Sequence, residues 1–366
     1  MIRHPAPLAK RQGIALADAA GYSPPMDIPG LSAPRPSGGR PPLRVVISLD
    51  VEEEGLFSGR YAATGCGVRN VELLPRLAPL CRDLGFPLTL FCAYTVFASV
   101  PGRAVLARMR DDCGAEIGAH LHHWSTPPLE AAQRPGEPTR THRLPRDLLR
   151  RRLRTLLDAG RDFQSAPLTS FRMGRWDLKA EVRPLLAEEG ILVDSSVCPL
   201  RAFRNGPDHF LAPSDPYWVE GAPGRPLLEA PITQIPLVPG MERLWHRLTR
   251  AVPPLLDRFH FFGALSANPF WHGARAMRLA TRLHVRRGGK VLSLFWHSSE
   301  MLPGGSPHVP DEAAAQAALD RIFAFCVWLR EHFTVEGVTA TRLRALAPGL
   351  GFARRDTAPS SGGGDW

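Results

Sequence analysis

The chain has 366 residues, of which 44% are hydrophobic and 22% charged, as is ordinary for a globular protein with a sizeable core. No apolar run reaches the roughly 18–20 residues that span a bilayer. We therefore expect a soluble protein without a transmembrane segment. The net charge of +10 is almost entirely arginine, since lysine occurs only three times. Such an excess is typical of a GC-rich genome, and it favours compositional bias over an anionic partner such as a nucleotide-linked sugar, a lipid headgroup or nucleic acid.

The two ends of the chain differ in composition from its middle. Residues 1–42 are rich in Pro, Gly, Ala and Ser, and we expect a disordered or loosely packed arm. The tail 348–366 has the same character, so residues 43–347 are expected to form a single domain. The first residues are basic but lack a continuous apolar stretch, which argues against a secretory signal and predicts a cytoplasmic protein. The six cysteines show no metal-binding spacing and are expected to be reduced.

Between the two ends, short apolar runs alternate with amphipathic segments. This rhythm predicts parallel β/α units in an α/β fold, and about seven units suggest a distorted parallel barrel, with an open doubly wound sheet as the alternative. Residues 200–226 and 237–288 interrupt the rhythm, as excursions that shape a site do in β/α barrels. We predict strands at 44–50, 87–94, 116–120, 170–173, 191–197, 227–235, 290–296 and 335–338, and helices at 68–84, 102–112, 144–160, 178–189 and 311–332.

Acidic residues follow the first predicted strand. The apolar run ends at Asp50, and the carboxyl ends of barrel strands are where active sites lie. Residues i and i+2 of a strand share a face, so Asp50 and Glu52 can point into one pocket. Two carboxylates in one place repel each other, and a metal ion would relieve that repulsion. The alternative is an acidic loop exposed to solvent.

Three histidines lie within four residues directly after the third predicted strand. His120 and His122 share a face if the strand continues, whereas His120 and His123 share one if the chain turns helically. Either spacing allows two neutral imidazoles to bind a divalent ion such as zinc. The sequence therefore favours metal binding over a chance cluster.

Further polar residues stand at the ends of later strands. Arg172 could hold a carboxylate in a bidentate pair, and Asp194 follows the next strand. His297 ends an apolar strand before a Gly/Pro loop, which makes it a candidate general acid, with a histidine of the core or rim as the alternative. Arg175 is either functional or one of many surface arginines, and Trp176 either stacks on a sugar ring or closes the mouth of the barrel.

Taken in order, these motifs resemble the polysaccharide deacetylases, also called the NodB homology domain or carbohydrate esterase family four. The resemblance runs from about residue 44 to 346. It rests on an acidic strand end, a Glu-Ile-Gly segment followed by histidines, an arginine, an Asp-Ser stretch and a histidine after an apolar strand. These motifs are matched by Asp50-Val-Glu52, Glu116-Ile-Gly with His120, Arg172, Asp194-Ser-Ser and His297.

The resemblance implies a distorted β/α barrel of about seven strands and a hydrolase that removes acetyl groups from a sugar, N-acetyl more than O-acetyl. It implies that Asp50 is the general base and that His297 protonates the leaving group. Arg172 would keep Asp50 ionised, and Asp194 would tune His297.

The same resemblance implies a divalent metal ion, zinc before cobalt or another ion, held by Glu52, His120 and His122. The family usually has a second Asp where this chain has Val51, so the metal carboxylate is Glu52 or Asp50 itself. Its histidine pair is usually four residues apart, so His122 and His123 compete for the second position, and we favour His122. The candidates for sugar contact are Trp124, Arg175 and Trp176.

Two other functions remain open at this point. One is a hydrolase of a non-sugar amide that works without tightly bound metal, and the other is a barrel without turnover that binds a glycan or a protein partner. The combination of Asp50, Arg172 and His297 argues against a binding module, which needs no acid and base. A nucleic-acid binder is not favoured, because the arginines follow helix faces rather than interleaving with aromatic residues.

Overall fold

The computed structural model describes residues 41–129 and 138–355. The predicted arm, apart from its last two residues, lies outside these ranges, and so do residues 356–366 of the predicted tail. Regular structure continues beyond the predicted boundary at Ala347, because a helix runs to Leu350 and a short strand follows at Arg354–Arg355. No described helix combines the length and the apolar character needed to cross a bilayer.

The strands form one large sheet and one small one. Most of the predicted strands are confirmed, with ends shifted by a few residues. The strands are β1 (Leu43–Val51), β2 (Leu88–Cys92), β3 (Glu116–Leu121), β4 (Ser170–Met173), β5 (Val193–Asp194), β6 (Tyr217–Ala222), β7 (Arg225–Glu229), β8 (Gln234–Pro236), β9 (Ala264–Ser266), β10 (Val291–His297), β11 (Val335–Gly337) and β12 (Arg354–Arg355).

Seven strands of the large sheet run parallel side by side, in the order β10-β1-β2-β3-β4-β5-β7. The predicted parallel α/β architecture of about seven strands is therefore confirmed. The two ends of this run approach each other at Thr233, whose amide donates to the carbonyl of Ser293 in β10 over 3.0 Å. The carboxyl ends of the seven strands consequently surround one region, as in a distorted barrel.

Helices follow the strands and pack on the outside of the sheet. Short 3₁₀ turns occur at Leu56–Ser58, Arg69–Leu77, Thr141–Arg143, Gly174–Trp176, Ala180–Val182 and Ser298–Met301. The α-helices are α1 (Ala78–Arg82), α2 (Tyr94–Phe97), α3 (Val100–Cys113), α4 (Arg146–Gln164), α5 (Arg183–Glu188), α6 (Met241–Thr249), α7 (Pro253–Leu256), α8 (Phe259–Phe262), α9 (Ala274–Arg286), α10 (Glu312–His332) and α11 (Ala340–Leu350).

Sequence periodicity explains how these helices pack. In α4 the leucines at 148, 149, 153 and 156 are buried, while Arg151 and Arg154 on the other face are exposed. Helix α10 begins at the side chain of Asp311, which accepts a hydrogen bond from the Ala314 amide over 2.8 Å. A cap of this kind stabilises a helix by about 1 kcal/mol.

Three predicted elements differ from the structure. The predicted helix 68–84 is mostly a 3₁₀ segment followed by the short α1, because Pro75 and Pro79 lack the amide hydrogen that an α-helix requires. The predicted strand 191–197 is ordered as a strand only at Val193–Asp194. The predicted strand 227–235 is two strands separated at Pro231, and β7 also pairs antiparallel with β6, which the sequence analysis had placed in an irregular excursion.

Candidate active site

The predicted site residues meet where neighbouring strands end. Asp50 of β1 is in register with His297 of β10, and His120 of β3 is in register with Arg172 of β4. Strands β1 and β3 are separated only by β2. These side chains therefore lie together at the carboxyl ends of the parallel strands, where the sequence pattern predicted them.

Glu52, His120 and His122 form a buried donor group. Oε2 of Glu52 lies 3.5 Å from Nε2 of His120 and 3.4 Å from Nε2 of His122. The donor atoms of the three residues all lie within 4.8 Å of one another. Two ligand atoms about 2.0–2.1 Å from a zinc ion in tetrahedral geometry would lie about 3.3–3.4 Å apart. The spacing of this group therefore fits a small divalent cation.

Both histidine rings are oriented by hydrogen bonds at the opposite nitrogen. Nδ1 of His120 donates to the carbonyl of Arg172 over 3.0 Å, and Nδ1 of His122 donates to Oε1 of Glu53 over 3.0 Å. Each ring thereby presents Nε2 to Glu52, as a metal-binding histidine requires. Burial by itself would lower the pKa of His122, but the carboxylates of Glu53 and Glu52 raise it to about 10.

His123 does not belong to this group. Its Nε2 donates to the carbonyl of Thr139 over 2.8 Å, and burial lowers the pKa of its ring to about 3. Strand β3 continues to Leu121, so His120 and His122 share a face and His123 points away. The structure therefore places His122, the favoured one of the two alternatives, beside His120 and Glu52.

Glu53 is a site residue that the sequence analysis did not select. It is fully buried, and its carboxylate accepts hydrogen bonds from His122, from the Ser125 hydroxyl over 3.1 Å and from the Thr95 hydroxyl over 2.9 Å. Burial would raise its pKa, but the charge and hydrogen bond of His122 lower it to about 2. A continued strand would place Glu53 on the face opposite Glu52, but β1 ends at Val51 and the alternation stops there.

Asp50 is held by Arg172. Nη1 of Arg172 donates to Oδ1 of Asp50 over 2.6 Å, and both side chains are nearly inaccessible. The guanidinium also donates to Ser48 Oγ and to the oxygens of Ser195 at 2.7–3.0 Å. Burial would raise the pKa of Asp50, but the charges of Arg172, His120 and His297 together lower it below its usual value. Asp50 is therefore a carboxylate at neutral pH.

His297 lies on the other side of Asp50. Its Nε2 is 3.7 Å from Oδ2 of Asp50, and its Nδ1 donates to Oε2 of Glu300 over 2.9 Å. Burial would lower the pKa of His297, but Glu52, Glu300 and Asp50 raise it to about 9. The ring is partly exposed, with 19% of its side chain accessible, so a bound molecule could reach it.

Asp194 is the residue expected to tune His297, but the carboxylate hydrogen-bonded to that ring belongs to Glu300. Asp194 accepts hydrogen bonds from the amide and hydroxyl of Ser196, and it forms a buried carboxyl pair with Glu229. Burial raises the pKa of Glu229 well above its usual value, and the negative charge of Asp194 raises it further. Both carboxyl groups therefore have raised pKa values in the interior near Arg183, whose Nη2 is 3.9 Å from Glu229.

The three candidates for sugar contact lie in different environments. Trp124 is 2% exposed, and the face of its ring stacks on His122 with centroids 4.3 Å apart, so it supports a histidine rather than facing solvent. Arg175 donates to the carbonyl of Pro138 and lies over the ring of Tyr61. Trp176 is partly exposed and packs edge-on against Phe295, two residues before His297.

A buried polar network fixes the loops that carry the site. The side-chain amide of Asn70 donates to the backbone carbonyl of Glu52 over 2.8 Å and to Ser298 Oγ over 2.7 Å. The backbone amide of Glu52 donates to the same Ser298 hydroxyl over 3.2 Å. This network joins the ends of β1 and β10. Asn70 carries no motif that sequence analysis could have used, since its role depends on two distant loops.

Comparison with solved structures identifies the fold. A candidate polysaccharide deacetylase from Mycobacterium smegmatis matches with a TM-score of 0.52 and 19% identity, over 89% of this chain and 97% of that one. A candidate glycoside hydrolase or deacetylase from Parabacteroides distasonis matches with a TM-score of 0.55 and 13% identity, over 84% and 71%. The chain has the deacetylase fold. Neither a scan against protein-family models nor a search of the curated proteins finds a match.

The same fold extends to a different activity. The 4-alpha-glucanotransferase from Thermococcus litoralis matches with a TM-score of 0.50 and 11% identity, over 86% of this chain and 42% of that one. Because proteins with one fold can catalyse several different reactions, the deacetylase fold alone does not determine which reaction is catalysed. That choice depends on the residues at the strand ends.

Proposed function

We propose that this chain is a metal-dependent hydrolase that removes acetyl groups from a carbohydrate or glycan precursor, N-acetyl more than O-acetyl. The observation that carries the proposal is the buried Glu52-His120-His122 group, which lies directly beside a carboxylate held by Arg172 and a histidine held by Glu300. The fold of the described residues is consistent with this activity.

The metal is proposed to bind Glu52, His120 and His122. The donor spacing and the two oriented histidines support this assignment. A divalent ion at this position supplies Lewis acidity toward the acetyl carbonyl and increases the acidity of water. Carboxylate and imidazole ligands suit zinc and also cobalt, so the donor set does not choose between them.

Asp50 is proposed to be the general base. Arg172 locks Oδ1, which leaves Oδ2 as the oxygen that can take a proton, and Oδ2 lies between Nε2 of His120 and Nε2 of His297 at 3.9 and 3.7 Å. A buried carboxylate next to the acetyl group can remove a proton from the attacking water. The water oxygen then adds to the carbonyl carbon to give a tetrahedral adduct, and the C–N bond breaks when this adduct collapses.

His297 is proposed to be the general acid. Glu300 holds Nδ1, so Nε2 is directed at the region next to Asp50 and can protonate the departing amine. The products are the free amine and acetic acid, which ionises to acetate in solution, and the proton taken by Asp50 balances the one given by His297. Glu300 is a positioning residue in this scheme.

The sugar is proposed to lie against Trp176. Of the two tryptophans that are candidates for sugar contact, Trp124 is covered by His122, whereas Trp176 is partly exposed beside Phe295. An aromatic face next to the acid and base would orient a pyranose ring.

The test measures bound metal and acetate release together. Purified protein is loaded with zinc or cobalt, analysed for metal, and incubated with N-acetylglucosamine oligomers and with a simple non-sugar acetamide. We expect one divalent ion per chain and acetate from the oligomers. Release from the acetamide alone, or full turnover without metal, would overturn the proposal in favour of a metal-independent amide hydrolase. Oligomer binding without acetate release would show a binding barrel.

A further inference from the structure

An exposed apolar surface lies in the segment 237–262, which stands between the Asp194 and His297 motifs in the sequence. Among the described residues, thirteen large hydrophobic side chains are exposed, and eight of them belong to this segment. Phe261 is 80% exposed and Leu248 70%. The eight, which we call the 237–262 surface, are Leu237, Val238, Leu244, Leu248, Val252, Leu255, Phe261 and Phe262.

The segment is held firmly, so this exposure is not a frayed loop. Its inner side chains, Met241, Trp245, Leu256 and Phe259, pack in a cluster with residues 200–210. The carboxylate of Asp257 pairs with Arg201 at 2.8 and 3.1 Å, and also accepts from the Ala202 amide. The apolar outer face is therefore a fixed feature of the fold.

The exposed charges of this segment are all positive. Arg243, Arg247, Arg250 and Arg258 are exposed, while the two acids of the segment, Glu242 and Asp257, are only partly so. Arg243 lies 3.8 Å from Glu242, and Asp257 is occupied by Arg201. On α6, Leu244 and Leu248 alternate with Arg243 and Arg247 along one outward face. Exposed apolar side chains next to exposed arginines supply both the buried apolar area and the electrostatic attraction that bind a protein surface to anionic lipids.

We propose that the 237–262 surface docks the protein on an anionic lipid bilayer. Apolar side chains would enter the headgroup region while the arginines contact phosphate groups, each of which favours binding. A second copy of the chain fits the surface less well, because a two-fold contact places the same face against itself. Four arginines would then meet four arginines with no exposed carboxylate to neutralise them.

The docking does not depend on the proposed reaction. Arg287, which precedes β10, donates to the carbonyls of Pro236 and Leu237 over 2.6 and 2.9 Å, so the segment begins near the amino-terminal end of that strand. His297 lies at the other end of β10. Variants of the outer face can therefore be tested without changing a residue placed in the active site.

The experiment is co-sedimentation of the full chain with vesicles of phosphatidylcholine, with or without phosphatidylglycerol. We expect binding to the anionic vesicles that weakens as salt rises. The double variant Leu244→Ser/Phe261→Ser should reduce partition at least about tenfold, whereas Val100→Ser/Leu192→Ser, which changes exposed apolar residues elsewhere, should not.

A charge-matched pair separates specific docking from attraction of a basic protein. Arg247→Ala/Arg250→Ala should weaken partition by about tenfold to thirtyfold, since each surface arginine contributes about 1 kcal/mol. Arg151→Ala/Arg154→Ala on α4 removes the same charge and should have little effect. Circular dichroism checks folding, and the arginine pair tests the proposal even if the apolar variant unfolds.

Three outcomes would overturn the proposal. The first is no binding to anionic vesicles, and the second is an equal loss of binding in the segment variants and their matched controls. The third is a dimer, seen by light scattering, that Leu244→Ser/Phe261→Ser dissociates while vesicle binding is unchanged. That result would assign the 237–262 surface to self-association.

Discussion

The two carboxylate oxygens of Asp50 have different environments, because Arg172 binds only one of them. Oδ1 receives Nη1 of Arg172 at 2.6 Å, and Oδ2 faces Nε2 of His297 at 3.7 Å. The arginine itself is fixed by Ser48 and Ser195, on β1 and after β5. A carboxylate held on one side and open on the other is oriented for proton transfer.

Asp50→Asn should lower turnover by about two to four orders of magnitude, because the amide cannot accept the proton that the base removes. The variant should stay folded, since the Asn oxygen can still accept from Arg172, although loss of the negative charge beside a buried guanidinium will lower the melting temperature. Acetate release and thermal unfolding measure the two effects. Asp162→Asn, an exposed change on α4, should alter neither, and a fully active Asp50→Asn would remove the base assignment.

His122→Ala and His123→Ala should differ sharply in metal binding. Loss of His122 removes one of three donors and should reduce zinc affinity at least about a hundredfold, whereas His123 faces the Thr139 carbonyl and its loss should leave affinity nearly unchanged. Calorimetric titration with zinc gives both values. Equal affinities for the two variants would mean that the ligand set named here is wrong.

His297→Ala should reduce turnover of an N-acetyl sugar far more than that of an aryl acetate, because an aryl oxide leaves without a proton. Glu300→Gln should show the same preference more weakly, since Nδ1 of His297 keeps a hydrogen-bond partner but loses a charged one. Rates on the two substrates, measured for each variant, give the ratio. A ratio equal to that of the wild type would exclude His297 as the acid.

Gly174→Ala should weaken metal binding while the sheet stays folded. A Cβ atom at this position would lie 2.4 Å from Cδ2 of His122 and 2.8 Å from the Leu121 carbonyl, so the imidazole must move. Gly273→Ala is the matched control, because a Cβ there meets nothing within 4 Å. Zinc affinity is the readout, and we expect a loss of about tenfold or more for Gly174→Ala alone. Unchanged affinity would show that the ring position does not matter.

Glu229→Gln should stabilise the protein increasingly as the pH rises. Burial and Asp194 raise the pKa of Glu229 in the folded state, so the folded protein retains a proton that the unfolded chain releases near its ordinary pKa. The contribution of Glu229 to the free energy of unfolding is therefore largest below the pKa that Glu229 has in the unfolded chain. It falls as the pH rises toward the pKa that Glu229 has in the folded protein. Melting temperatures from pH 5 to 9 should show a growing difference between Glu229→Gln and the wild type. A constant difference, or the same trend in the exposed Glu220→Gln, would contradict the raised pKa of Glu229.

The sequence was sufficient for the parts of the site that depend on strand ends. Apolar runs ending in Asp50, His120, Arg172 and His297 indicated both the parallel sheet and the convergence of these residues, because parallel strands bring their carboxyl ends together. Glu300 was not predicted as the partner of His297, because their contact depends on a 3₁₀ turn. Asp194 was named for that role instead, because it belongs to one of the motifs that carry the resemblance.

Other features depend on packing that a linear pattern does not contain. Trp124 was a candidate for sugar contact, but its ring is buried by stacking on His122. The sequence marks residues 237–288 only as an interruption of the β/α rhythm, and the fold is needed to show that leucines of residues 237–262 are exposed. Residues 227–235 read as one strand because apolar periodicity does not reveal the break at Pro231.

The hydrogen bonds behind the two histidines of the Glu52-His120-His122 group also imply an order of assembly. His120 is oriented by a β4 carbonyl and His122 by a glutamate that follows β1, so the donor group exists only when three segments distant in sequence have paired. Metal uptake should therefore come after the sheet forms rather than nucleate it. A chelator should lower the melting temperature of the loaded protein, and newly made chains should acquire their ion only once residue 173 has emerged and docked.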